Sequence, residues 1–226
     1  MKESICRVCG ESADLRGASR TDAGAHALGQ VADFLTPNPM PPAKWELVLN
    51  RVLPPDTRIA RASRVPLRFH SRFFARSRVY EYRISERARV EPTRSRYVYE
   101  CGTRLDTDPM EEAAASLPGE HDFRAFSEKL DALENATRRV LRASVRRARD
   151  EVRILLEASA FVRGMARRIA GGLFEVGRGK RSVSEFRRLL VRHERDGVRW
   201  PVVLPAKGLT LLKVRYGVSH RDVRES

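Results

Sequence analysis

The chain has 226 residues and carries 44 Lys plus Arg against 29 Asp plus Glu, a formal net charge of +15. That length suits one large domain or two smaller ones sharing a core, and the charge favours a polyanionic partner, because each phosphate neutralised releases a counterion. No segment reads as a signal peptide or a membrane span, so the expectation is a cytoplasmic protein with no membrane partner.

Residues 1–12 carry weak structural signals. Residues 13–16 read as a short strand delivering a glycine-flanked loop, and residues 28–34 as a strand leading away from it. The proline-rich run 36–42 is an extended connector. Residues 43–52 then space Trp45, Val48, Leu49 and Val52 as a helix does, and 57–65 alternate as a strand. A second half opens near Pro66, giving a division at 1–65 and 66–226. Within it, 79–84 read as a strand. A helix starts at Asp108-Pro109-Met110-Glu111, with Asp as N-cap and Pro at the first helical position. Residues 138–148 and 152–158 form two strands joined at Arg149-Asp150-Glu151. Residues 161–176 make a strong amphipathic helix, Ser182-Val183-Ser184-Glu185 is a capping box, and 209–216 supply a last strand. Strands and helices interleave without the regularity of a parallel sheet. The fold class is therefore α+β, a mostly antiparallel sheet with helices on one face.

Cys6, Cys9 and Cys101 are an odd count, consistent with reduced thiols. Cys6-Arg7-Val8-Cys9 is a lone C-x-x-C pair with no second ligand pair after it. His26, His70, His121, His193 and His220 show no zinc spacing. Neither a metal nor a cofactor is expected.

The densest chemistry lies in Gly17-Ala18-Ser19-Arg20-Thr21-Asp22-Ala23-Gly24-Ala25-His26-Ala27. An arginine two residues from an aspartate, between glycines, suits a tight loop facing a ligand. With Gly29-Gln30-Val31-Ala32 close behind, this stretch resembles the signature loop of the tRNA pseudouridine synthase A family. Phe69-His70-Ser71-Arg72-Phe73 with Tyr80-Glu81-Tyr82 is similar to a second motif of that family. Ala160-Phe161-Val162-Arg163-Gly164-Met165-Ala166-Arg167 is similar to a third, and Pro205-Ala206-Lys207-Gly208-Leu209-Thr210-Leu211 to its closing segment.

The resemblance implies two related ferredoxin-like α/β halves with a basic cleft between them, acting as a homodimer on the anticodon arm of tRNA. It implies that uridine at positions 38–40 is isomerised to pseudouridine. Asp22 would be the catalytic carboxylate, Arg167 its ion partner, Tyr80 the stacking phenol and Arg20 the group that contacts or extrudes the target base. Arg163, four residues from Arg167 and so on one helix face with it, fits contact with the RNA backbone. Leu209 would line the pocket, although an apolar strand residue fits the core equally well. The bland readings stay open beside these: a packed Tyr80/Tyr82 pair, and Arg167 as one more backbone contact. The family usually opens with an aromatic-rich strand and a helix, whereas this chain places only residues 1–12 before the loop's strand. The alternative to an enzyme is accordingly a non-catalytic RNA-binding relative inactivated by truncation at that end.

Overall fold

The computed structural model describes residues 1–10, 13–127, 135–191 and 201–217. In order, the elements are α1 (Lys2–Cys9), β1 (Arg16–Gly17), β2 (His26–Ala27), β3 (Ala32–Asp33), α2 (Pro42–Val52), β4 (Ala75–Ser85) and α3 (Pro92–Ser95). Then come β5 (Tyr99–Glu100), α4 (Thr107–Ala114), β6 (Gly119–Asp122), β7 (Thr137–Ala148), β8 (Glu151–Ala158), α5 (Met165–Gly177), α6 (Val183–Arg188) and β9 (Leu209–Tyr216). The chain forms two compact units: the described residues of Met1–Ser19, Val31–Ala75 and Tyr216–Ser226, and those of Arg20–Gln30 and Arg76–Arg215.

The smaller unit is built on two helices. In α1, Ile5 is buried, and Val8 and Cys9, one turn on, pack against the same cluster as Ala13, Trp45 and Leu49. That packing supports a helix of eight residues, too few to be stable alone and too short a pattern to announce one. Helix α2 begins with Pro42 at its first position, where the missing N–H has no intrahelical role. Trp45 and Leu49, four apart, face inward, and Phe34 meets Trp45 edge to face at 5.3 Å. Residues 57–65 form no strand. Side chains bond them instead: the Asn50 amide donates to the Ile59 carbonyl at 2.9 Å and accepts from the Ile59 amide at 2.7 Å, and Glu46 accepts from the Ala62 amide at 2.5 Å. Of the strand expected over 28–34 only Ala32–Asp33 forms one, β3, which pairs β1; β2 precedes that stretch and pairs β9. Asp33 is buried, bonded by the Ser71 amide at 2.7 Å and by Arg16 at 2.5 Å.

The larger unit holds a seven-stranded sheet in the order β2-β9-β4-β8-β7-β6, with β5 alongside β4. The β4/β8, β8/β7 and β7/β6 pairs are antiparallel; β2/β9 and β4/β5 are parallel. This is the mostly antiparallel α+β arrangement expected. Register sets Tyr80 opposite Leu156, Tyr82 opposite Ile154 and Ile84 opposite Val152, so alternate residues build one apolar face. All six are buried, and each contributes about 1.5–3 kcal/mol of burial. Helices α4, α5 and α6 pack on one another, and α4 also packs on β7.

Two helix starts differ from the sequence reading. Asp106, not Asp108, caps α4, accepting from the Asp108 amide at 3.2 Å. Helix α5 begins at Met165, because Gly164 at φ 78° sits in the left-handed region and breaks the helical run. Phe161 and Arg163 therefore precede the helix. The Ser182 capping box is present as expected, the Ser182 hydroxyl accepting from the Glu185 amide at 3.2 Å. The short strands β5 and β6 and the four-residue α3 had no signal in the sequence long enough to read.

Candidate active site

Residues 20–25 form a tight loop leading into β2. The Ala25 amide donates to the Asp22 carbonyl at 3.0 Å, and Gly24 at φ 84° supplies the left-handed turn residue between them. Strand β2 then runs parallel to β9, with His26 in register with Thr210 and Ala27 with Leu211. The Leu28 amide extends the attachment, donating to the Leu211 carbonyl at 2.9 Å. The loop is thus tethered directly after its acidic residue.

Arg167 lies in the first turn of α5, and its guanidinium makes two bonds of different kinds. Nη1 donates to Asp22 Oδ2 at 2.6 Å, and Nε donates to the Leu204 carbonyl at 2.7 Å. Two acceptors in one guanidinium plane fix that plane, and the plane in turn fixes the carboxylate. The Asp22 side chain is 34% exposed and that of Arg167 is 17% exposed. The carboxylate is therefore aimed by a partly buried cation while remaining open to a ligand.

The segment before β9 is held by a second donor. The Tyr82 hydroxyl donates to the Pro205 carbonyl at 2.6 Å, next to the Leu204 carbonyl taken by Arg167. Burial pushes the Tyr82 phenol well above its usual range, and the nearby Arg167 charge offsets only part of that rise. Tyr82 is therefore a permanent donor and not a base. Gly208 lies flat on the Tyr82 ring: a Cβ there would sit 2.6 Å from Cζ. Lys207 reaches Glu100 at 3.0 Å, a bond that holds the Glu100 carboxyl below its usual range.

The expected site residues fall into three groups. Asp22 and Arg167, 145 positions apart, are in direct contact. Tyr80 and Leu209 are both buried, on the neighbouring strands β4 and β9, and the Tyr80 ring meets Phe161 edge to face at 4.9 Å. Arg20 and Arg163 are exposed. Because α5 starts after Arg163, that residue and Arg167 do not share a helix face. Their spacing of four is crossed by the Gly164 turn. The sequence reading missed Tyr82 as a fixing group and Phe161 as the neighbour of Tyr80. The Tyr-x-Tyr spacing carried the first signal; the carbonyl acceptors of Leu204 and Pro205 carry none, since every residue has one.

Among the described residues, no group of three or more His, Cys, Asp or Glu is placed to hold a metal ion. His193 and His220 lie outside the described residues. Cys6 and Cys9 are free thiols on α1, Cys6 Sγ lying 3.4 Å from the Ala13 amide. Among the described residues no helix is long and apolar enough to cross a membrane.

A family model described as tRNA pseudouridine synthase matches residues 1–73 and 113–217. The tRNA pseudouridine synthase A of Brevibacillus brevis is 38% identical over 216 residues, which cover 96% of this chain and 88% of that protein. The tRNA pseudouridine synthase A of Syntrophotalea carbinolica is 36% identical, covering 96% of this chain and 85% of that one. The tRNA pseudouridine synthase A 2 of Clostridium tetani is 34% identical, covering 96% and 86%. The chain belongs to the tRNA pseudouridine synthase family, isomerases acting on uridine in tRNA.

Proposed function

We propose that this chain converts uridine to pseudouridine at positions 38–40 in the anticodon stem-loop of tRNA, as a cytoplasmic homodimer, with Asp22 as the reactive carboxylate and no cofactor. The observation that carries the reading is the 2.6 Å contact of Arg167 with Asp22 on a loop tied to β9. A carboxylate among phosphates repels a nucleic acid, so a protein that only bound RNA would have no use for one held so deliberately.

The reaction needs the nucleotide lifted from its stack into a pocket. The bond from the sugar C1′ to the ring nitrogen breaks, the ring turns, and a bond from C1′ to ring C5 forms. The hydrogen on C5 then leaves as a proton, and the freed ring nitrogen takes one up. Asp22 assists the cleavage, either by attack or by stabilising charge on the sugar. Arg167 keeps the carboxylate aimed through that change. Tyr80, held edge-on by Phe161, stacks against the base and stands beside the departing proton. Leu209 closes the apolar side of the pocket. Arg20, exposed at the head of the loop, contacts or extrudes the target base, and Arg163 binds backbone phosphate.

The test is tritium release from tRNA labelled at uridine C5. Release should persist when uridines outside 38–40 are replaced by cytidine and cease when those at 38–40 are replaced. Release that survives the second replacement contradicts the assigned positions. Binding of tRNA with no release from any substrate contradicts the enzymatic reading and favours the non-catalytic RNA-binding relative.

A further inference from the structure

The Asp22 loop has a further attachment besides Arg167 and the β2–β9 pairing. His26, four residues after Asp22 and the first residue of β2, places its ring Nε2 2.7 Å from the Arg96 carbonyl. A carbonyl oxygen only accepts, so Nε2 carries the hydrogen and His26 donates. The same imidazole packs against the Tyr97 ring, with centroids 4.5 Å apart and planes tilted by 47°. Two contacts of different character therefore fix its position and its orientation.

The receiving end is itself anchored. Arg96 follows α3, whose Arg94 bonds Glu151 at the head of β8 at 2.6 Å and Glu91 at 3.1 Å. Beyond Tyr97, Val98 is fully buried, and Tyr99 and Glu100 pair with Ile84 and Ser85 of β4. The Arg96 carbonyl thus projects from a segment fastened on both sides to the central sheet. The donating end is fastened as well, through the His26–Thr210 register and the Ala25-to-Asp22 turn bond.

We propose that His26 is a positioning residue: a strut from the Arg96 carbonyl that sets the rotation of the Asp22 loop about its contact with Arg167. This rests on the reading of Asp22 as the reactive carboxylate. The Arg167 ion pair holds the Asp22 side chain and the β2–β9 pairing holds the backbone where the loop ends, which leaves the loop between them free to rotate. The bond of the His26 ring to the Arg96 carbonyl ties that end to a third segment and removes that freedom. A displacement of about 1 Å at a reacting group costs up to roughly a hundredfold in rate, so a strut of this kind acts on turnover and not on substrate affinity. His26 is only half-buried, so replacing it leaves the core intact.

Three variants separate the donor from the packing. His26→Ala removes both, His26→Phe keeps a ring against Tyr97 without the N–H, and His26→Gln returns an amide donor of similar reach. In the tritium-release assay, Ala and Phe lower kcat by about tenfold or more with KM for tRNA within about twofold, and Gln restores most of the loss. In native-state hydrogen exchange, the amides of residues 20–28 exchange faster in the Ala and Phe variants, while those of β4 and β8 do not change. Turnover by the Phe variant equal to wild type, or no advantage of Gln over Phe, overturns the strut. Unchanged exchange in the loop overturns it too, whether or not the enzyme is active. A wild-type protein that releases no tritium sinks the isomerase reading alone, and the exchange data then decide the strut by themselves.

Discussion

Glu151 and Asp22, two of the carboxylates in the larger unit that arginines hold, are held differently. Glu151, at the head of β8, is 2% exposed and saturated. Arg83 forks onto both its oxygens at 2.9 and 2.7 Å, Arg94 adds a bond at 2.6 Å and Arg153 one at 3.2 Å. Burial pushes its carboxyl upward, but the bonds from Arg83 and Arg94 outweigh that and bring it down to about 2. Asp22 is 34% exposed and is engaged by one guanidinium through Oδ2. A carboxylate whose lone pairs are all taken fastens structure. One that is aimed through a single oxygen keeps the rest of its acceptor capacity for a ligand.

The contrast breaks most sharply at Asp22. Asp22→Asn retains the shape and the hydrogen bond from Arg167 but not the charge. It should lower the isomerisation rate by about 10⁴-fold while tRNA affinity, read by filter binding, barely moves. Arg167→Lys should lower kcat on the order of 10²–10³-fold. An ammonium is a point charge and does not reproduce the fork that holds the carboxylate and the Leu204 carbonyl in one plane. The Leu204–Leu209 segment in this variant should also become more accessible to hydrogen exchange.

At the saturated site the expected effect is on stability. Glu151→Gln should cost about 2 kcal/mol in urea unfolding, below the usual range for a buried pair because Arg83 and Arg94 retain contact with water. Turnover should stay within about threefold, because Gln still offers an oxygen to Arg94 and the β5 pairing holds the other side of the Arg96 segment. The pH dependence sharpens this. The folded-state value of Glu151, about 2, lies below its ordinary 4.5, so its contribution is fully present above pH 4.5 and lost as pH falls toward 2. Wild-type stability should fall across that window, and Glu151→Gln should fall less steeply. Glu185, also brought to about 2 chiefly by the Ser182 amide, maintains a residual slope in the variant. The smallest effect belongs to Gly208→Ala. The added methyl would press on the Tyr82 ring and loosen its bond to the Pro205 carbonyl, costing about 1–2 kcal/mol.

What the sequence disclosed and what it withheld follow a physical division. The helix from Pro42 to Val52, the β7–β8 hairpin and β9 were legible because each buries a periodic set of side chains. The 57–65 segment was not, because backbone groups in it bond the side chains of Asn50 and Glu46, and alternation alone does not reveal whether a partner is a strand or a side chain. Helix α5 was legible as an element but not in its start, since a single left-handed glycine sets the boundary that the apolar pattern runs across. At the site, Asp22 and Arg167 were legible through motif resemblance. Their neighbours Leu204, Pro205 and Arg96 were not, because they act through backbone carbonyls that no side-chain pattern marks.

One paired experiment tests the division most directly: Asp22→Asn and Glu151→Gln carried side by side through single-turnover tritium release and urea unfolding. The account predicts a crossed result. Asp22→Asn loses release and keeps its unfolding midpoint, and Glu151→Gln keeps release and loses midpoint. Release by Asp22→Asn at the wild-type rate would contradict the account, leaving the Arg167 contact as one more structural ion pair.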